Sequence, residues 1–165
     1  MEWVDVYDAQ RRRTGKIIDR NAAVEPGEWL LVVHACLMDE AGRMLIQQRQ
    51  YSKDRYPGCW DVSAGGFVRS GEEPKEAVLR EIEEELGLHV SPEALHFVLT
   101  EPFSYVLDDF FVVQIPGKGE SLPLQLQEEE VICAGWANRE TVLAMRRDGR
   151  FVDYDEQLLQ RLFDR

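Results

Sequence analysis

Hydrophobic and polar positions along this chain follow two periods, and the changes of period mark its elements. Residues 29–38 (WLLVVHACLM) form a nearly continuous apolar run, the pattern of a strand buried on both faces. Asp39, Glu40, Ala41 and Gly42 turn the chain, and residues 43–50 (RMLIQQRQ) return as its partner strand. A polar, basic loop over 51–58 leads to a short strand over 60–64. The period then becomes helical. Val78, Leu79, Ile82 and Leu86 fall on one stripe at ~100° steps, between Pro74 in the first turn and Gly87 just past the last. No Ser, Thr, Asp or Asn stands at the start of this helix as a cap. Two strands are expected next, within 95–115 and broken near Leu107 and Asp108. A loop over 117–127 and a strand over 131–137 follow. Asn138 opens a helix to about Arg147, and residues 153–163 form a terminal amphipathic helix. At the other end, Val4 and Val6 alternate with Asp and Gly15 marks a turn, so residues 1–28 read as a small β-hairpin.

Strands flanking one central helix, with helices at the end, predict an α/β fold with a mixed sheet. The 165 residues, 44% of them hydrophobic, suit one domain over 1–165 with a sizeable core. The net charge of −12 argues against general binding of a nucleic acid duplex or an anionic membrane, both of which need basic surface. It leaves room for a small phosphorylated substrate carried with a divalent cation. Cys36, Cys59 and Cys133 are scattered, without zinc-ligand spacing, and fit reduced thiols. Cys36 and Cys133 lie in apolar runs and are expected to be buried. The first residues carry no apolar signal core and no apolar run reaches ~18 residues, so a cytoplasmic location is expected. His34 reads as a hydrogen-bonded core or pocket-wall residue, and Arg11, Arg12 and Arg13 as a solvated turn.

The central helix also carries chemistry. Glu81, Glu84 and Glu85 share a strip adjoining its apolar stripe. Carboxylates at such spacing repel one another. A charge run of this kind is ordinarily a solvated face. A hard cation with oxygen ligands, Mg²⁺ or Mn²⁺, relieves the repulsion in another way. Arg80, on the side away from the stripe, can pair with Glu76 or Glu84.

Residues 66–88 resemble the Nudix box, G-x5-E-x7-R-E-U-x-E-E-x-G-U with U a bulky aliphatic residue. Gly66, Glu72, Arg80, Glu81, Ile82, Glu84, Glu85, Gly87 and Leu88 all match, nine positions in 23 residues. The resemblance implies the Nudix α/β/α sandwich over about residues 29–163 and a metal-dependent hydrolase. Such an enzyme cleaves the diphosphate linkage of a small organic or nucleoside diphosphate. The implied metal ligands are Glu84, Glu85 and the Gly65 carbonyl, with Glu81 a metal-linked ligand or the general base. Glu72 and Arg80 would orient the loop and the carboxylates. An outlying acidic ligand, just ahead of an apolar strand holding a Trp, is implied at Glu130, with Glu128 and Glu129 competing.

A narrower resemblance covers residues 30–88, within which LIQQRQYSKDRYPGCWDVSAGG, residues 45–66, is similar to the corresponding part of isopentenyl-diphosphate isomerases of the same fold. Arg49 and Lys53 match the residues that bind substrate diphosphate there. The isomerase's catalytic Cys falls at Gly65, and its metal-binding His residues at Phe67 and Leu30. These departures, with the intact box, favour hydrolysis in an isomerase-like subgroup. An isomerase and a non-catalytic Nudix ligand-binding protein are the rival readings, and a homodimer is compatible with any of them. Pro102 and Tyr105 fall in the neighbourhood where some dinucleotide-cleaving relatives carry a specificity residue. Phe103, Tyr105, Phe110 and Phe111 are expected in the core, with stacking on a base as the minority reading.

Overall fold

In the computed structural model, which describes residues 1–164, the apolar run of residues 29–38 becomes the strand around which the sheet is built. The elements are β1 (Trp3–Tyr7), β2 (Arg13–Asp19), β3 (Leu30–Met38), β4 (Met44–Arg49), β5 (Trp60–Asp61), β6 (Ala64–Phe67), α1 (Pro74–Leu86), β7 (Leu95–Phe103), β8 (Val106–Gln114), β9 (Val131–Ala137), α2 (Arg139–Arg147) and α3 (Glu156–Phe163). Leu31, Val33, Ala35 and Leu37 of β3 pack in one cluster with Val78, Ile82 and Leu86 of α1. Cys36 and Met38 pack in another with Val142 and Met145 of α2 and Leu158, Leu159 and Leu162 of α3. Helices on both faces are why β3 is apolar at both parities. The result is an α/β/α sandwich on a mixed sheet. β8 runs parallel to β3, and β7 antiparallel to β8.

The turn at residues 39–42 does not make the simple hairpin expected of it. β3 and β4 pair only where Met38 faces Met44, and β4 then turns to pair with β9 and β5. Its place beside residues 32–35 is taken by β6. Ser63, fully buried, fills the fork. Its hydroxyl accepts from the Leu37 N–H at 2.8 Å and donates to the Leu45 carbonyl at 2.5 Å. It also lies in the break that divides the strand expected over 60–64 into β5 and β6.

The β7 to β8 turn lies at Ser104 and Tyr105, earlier than the hydrophobic pattern implies, with Ser104 at φ 55°. Asp108 and Asp109 do not break the strand because each has a partner inside the fold. Asp108 meets His34, and Asp109 meets Arg11 and Thr100. That corrects the reading of residues 11–13 as a solvated turn for Arg11 alone, since Arg12 and Arg13 are exposed. Arg11 donates to the buried Asp109 at 2.7 Å, and Arg13 donates to Glu73 at 3.0 Å. The N-terminal hairpin is anchored further by Val4 and Val6, which pack against Leu30 and Val106.

α1 begins without a standard cap, and the Glu76 carboxylate accepts from the Glu73 N–H at 2.8 Å instead. Gly87 ends it at φ 69°, its N–H donating to the Glu83 carbonyl at 2.9 Å. Asn138 caps α2 as expected. Asp155 caps α3, which starts later than the amphipathic pattern suggests. Cys36 is buried, but Cys133 is only half-buried. Among the described residues no helix is long and apolar enough to cross a membrane.

Candidate active site

A cleft of about 1070 Å³ opens between α1, β6, the 51–58 loop, the β7 to β8 turn and the start of α3. Its first wall is the box helix. Gly66 of β6 leaves room for Glu81 of that helix. A Cβ at Gly66 would lie 2.2 Å from Glu81 Oε1, so no side chain fits there while Glu81 keeps its position. Glu81 and Glu85 are only 8% and 6% exposed, whereas Glu84 is exposed. The acidic strip is therefore not a uniformly solvated face.

Each carboxylate has a neutral or cationic partner. The Gln47 amide donates to Glu85 Oε2 and, at 3.0 Å, to the Ser63 carbonyl. The Gly65 N–H reaches Glu85 Oε1 at 3.4 Å. Arg80 is half-buried, not turned outward. Its Nε and Nη2 bind both oxygens of Glu72 at 2.8 and 3.0 Å, and Nη2 also donates to the Phe67 carbonyl at 3.0 Å. Nη1 donates to Glu81 at 2.6 Å and to Glu84 at 3.2 Å. Glu76 takes no part, since it serves the helix start. One guanidinium thus ties the box loop to two of the candidate ligands. Arg69 adds a second cation, 3.5 Å from Glu84 and held at 2.8 Å by Glu2 of the hairpin.

Burial, and then the charge of Glu81, push the Glu85 carboxyl well above its ordinary range. Burial raises Glu81 as well, against the pull of Arg80. Glu72 goes the other way. Burial acts upward on it, and hydrogen bonds from Arg80 and the Arg69 N–H outweigh that. Two buried carboxylates short of positive charge, in a cradle that only glycine leaves open, are a donor set that fits a hard divalent cation. Among the described residues no three His, Cys, Asp or Glu side chains are yet drawn together at ligand spacing. Gln47 holds an oxygen of Glu85, and Arg80 holds Glu81 and Glu84, so a cation would have to draw these three carboxylates together.

The second wall brings the basic loop opposite the carboxylates. Arg49 and Lys53 both line the cleft. Arg49 is held at 3.1 Å by Asp61 and at 3.1 Å by the Arg55 carbonyl. Lys53 forms an ion pair with Glu130. Glu129 and Glu130 line the cleft, and Glu128 does not.

The floor was not foreseen as a unit. His34 Nε2 lies 2.9 Å from Asp108 Oδ1, and its ring stacks on Phe110 at 4.6 Å. Burial acts downward on His34, and the Asp108 contact leaves its pKa raised. The Tyr154 hydroxyl donates to Asp61 at 2.6 Å. Burial and then Asp61 push Tyr154 well above its ordinary range. The available signal was an acid inside an apolar strand, which needs a partner when buried. Phe110 and Phe111 are core residues, but Phe103 and Tyr105 are 50% and 41% exposed at the rim. The Arg55 guanidinium lies 5.3 Å from the Phe103 ring centre.

Comparison with known proteins bears on the family and the fold. The family model described as NUDIX domain matches residues 29–161. An uncharacterized Nudix hydrolase of Listeria monocytogenes is 36% identical over 154 residues, covering 93% of this chain and 89% of the relative. A crystal structure from Deinococcus radiodurans superposes with a TM-score of 0.79 at 25% identity, covering 98% of this chain and 99% of that one. A MutT protein from Methanosarcina mazei superposes with a TM-score of 0.64 at 25% identity, covering 87% and 96%.

Proposed function

The chain belongs to the NUDIX domain family of hydrolases, and from that premise we propose that it hydrolyses the diphosphate linkage of a small phosphorylated organic substrate with the help of Mg²⁺ or Mn²⁺. The observation that carries this reading is the buried pair Glu81 and Glu85 set against Gly65 and Gly66. Glu81, Glu84, Glu85 and the Gly65 carbonyl would hold the metal, with Glu130 reaching from the opposite wall. When bound, the metal neutralises phosphoryl charge and lowers the pKa of a water nucleophile. Arg80 and Glu72 keep the carboxylates in register. Arg49 and Lys53 take the substrate diphosphate, Arg49 as a fork and Lys53 as a point charge.

Isomerisation is disfavoured by the space at position 65. A Cβ there would lie 2.8 Å from both His34 Nδ1 and the Val33 carbonyl, so a cysteine side chain has no room without movement. The test is a phosphate-release screen over diphosphates with Mg²⁺ or Mn²⁺. Turnover should vanish in excess chelator and fall at least ~100-fold in Glu85→Gln, the scale of a lost transition-state charge contact. Isopentenyl diphosphate in deuterated water should gain no carbon-bound deuterium. Full turnover in chelator would end the metal mechanism, and deuterium on carbon would end the preference for hydrolysis.

A further inference from the structure

The cleft extends past the carboxylates and the basic loop to a floor that cutting a diphosphate does not require. β3 and β8 supply His34, Asp108 and Phe110, with Asp61 and Tyr154 alongside. His34 lies flat on Phe110, at an interplanar angle of 18°, and against a carboxylate its Nε2–H is the donor to Asp108 Oδ1. Asp108 is thereby held from below. Its second oxygen, Oδ2, has no hydrogen-bond partner among the described residues. It is not sealed in either, since the Tyr7 hydroxyl is the one fully buried side-chain polar atom without a partner among those residues. Asp108 Oδ2 therefore faces the cleft. Asp61 differs, because both of its oxygens are taken. Oδ1 accepts from the Val62 N–H at 2.8 Å and from Tyr154 at 2.6 Å, and Oδ2 from Arg49 at 3.1 Å. Within the pair of floor carboxylates, Asp108 alone keeps an acceptor free.

We propose that Asp108 Oδ2 is a specificity contact for the organic part of the substrate, and that it accepts a hydrogen bond from a hydroxyl of the kind a sugar carries. This rests on the diphosphate-hydrolase reading and names the substrate class within it: a sugar-bearing diphosphate over a prenyl one. A hydrocarbon tail on this floor would remove water from the carboxylate and return no donor. A site built to bond a hydroxyl rejects the analogue that lacks it far more strongly than an apolar pocket rejects a missing methylene. His34 is a positioning residue here, acting through Asp108.

The experiment measures binding apart from turnover. Nucleoside diphosphates with a methylene bridge, which cannot be cut at that bond, are titrated calorimetrically into the full chain with Mg²⁺. They are used in ribose and 2′,3′-dideoxyribose forms, with each of the four bases. At least one ribose form should bind ~10-fold or more tightly than its dideoxy form, and more tightly than dimethylallyl diphosphate. In Asp108→Asn an amide oxygen still accepts from His34, but an N–H₂ donor replaces the free acceptor, and the preference should shrink to within ~2-fold. Equal binding of ribose and dideoxy forms by the wild type would overturn the proposal without any variant having to fold. So would a preference that survives in Asp108→Asn. Discrimination in binding without cleavage of the ordinary diphosphates would leave this inference standing and defeat the hydrolase reading alone.

Discussion

In the proposed mechanism Glu85 sets stability against function within one side chain. It is buried, faces the charge of Glu81, and has the neutral Gln47 amide as its side-chain donor. A buried charge without full compensation destabilises the fold, and the cost is retained where chemistry needs it. Glu85→Gln keeps the shape and removes the repulsion. In chelator the variant should be more stable than the wild type by about 1 kcal/mol, read as a higher urea midpoint at unchanged slope. Added Mg²⁺ should raise the wild-type midpoint and leave the variant's nearly unmoved. A variant less stable than the wild type in chelator would mean that the charge at Glu85 is already satisfied. Asp39 is the contrasting case. Burial acts upward on its carboxyl, but the Arg43 N–H and guanidinium and the Gly119 N–H bring it below its ordinary 3.8. A carboxyl lowered by folding adds stability at pH above its unfolded value, and that stability is lost as pH falls through the folded value. The advantage of wild type over Asp39→Asn should therefore be full at pH 6 and decline below about pH 4. Urea midpoints measured over that range check the sign, and a gap that widens in acid would refute it.

At the scale of elements, the fork between β3 and β4 links the fold to the site. Because β4 leaves β3 after one pair, Gln47 comes to lie between the Ser63 carbonyl and Glu85. The Ser63 hydroxyl satisfies the Leu37 N–H and the Leu45 carbonyl that the opened ladder leaves unpaired. Such buried backbone groups are costly when unmet. Ser63→Ala strands both and should lower unfolding free energy by about 2 kcal/mol. It should also reduce activity, since the strand end that carries Gln47 loses its tie. A variant within about 0.5 kcal/mol of wild type would show that the fork closes by itself. The N-terminal hairpin is joined to the site in a similar indirect way. Glu2 holds Arg69, and Arg69 stands beside Glu84, so a segment outside the box supports one of its carboxylates.

Across the whole molecule, what was legible in sequence is what is local. The α1 stripe, the acidic strip and the two-faced β3 follow from spacing within a few turns or one strand. The floor does not, because His34 meets Asp108 across 74 residues and Tyr154 meets Asp61 across 93. The fork was missed because one polar residue, Ser63, decides a pairing that apolar alternation would assign to a hairpin. The ion pair between Lys53 and Glu130 is likewise a product of the fold, bridging 77 residues between two loops already tied by the Gln50 N–H to the Glu130 carbonyl at 3.1 Å. It joins a proposed phosphate contact to a proposed metal ligand, so each ion of the complex would free the partner of the other. Lys53 and Glu130 are 28% and 35% exposed, and a pair so placed is worth at most about 1 kcal/mol, a factor of roughly five in affinity. Metal should therefore bind up to about fivefold more tightly to Lys53→Ala than to wild type when no substrate is present. The KM for the diphosphate should rise in the same variant, the mark of lost ground-state binding. Calorimetric titration of Mn²⁺ gives the first quantity and steady-state kinetics the second. Unchanged Mn²⁺ affinity in both Lys53→Ala and Glu130→Gln would remove Glu130 from the ligand set and leave the outlying position to Glu129, the other acid of that loop facing the cleft.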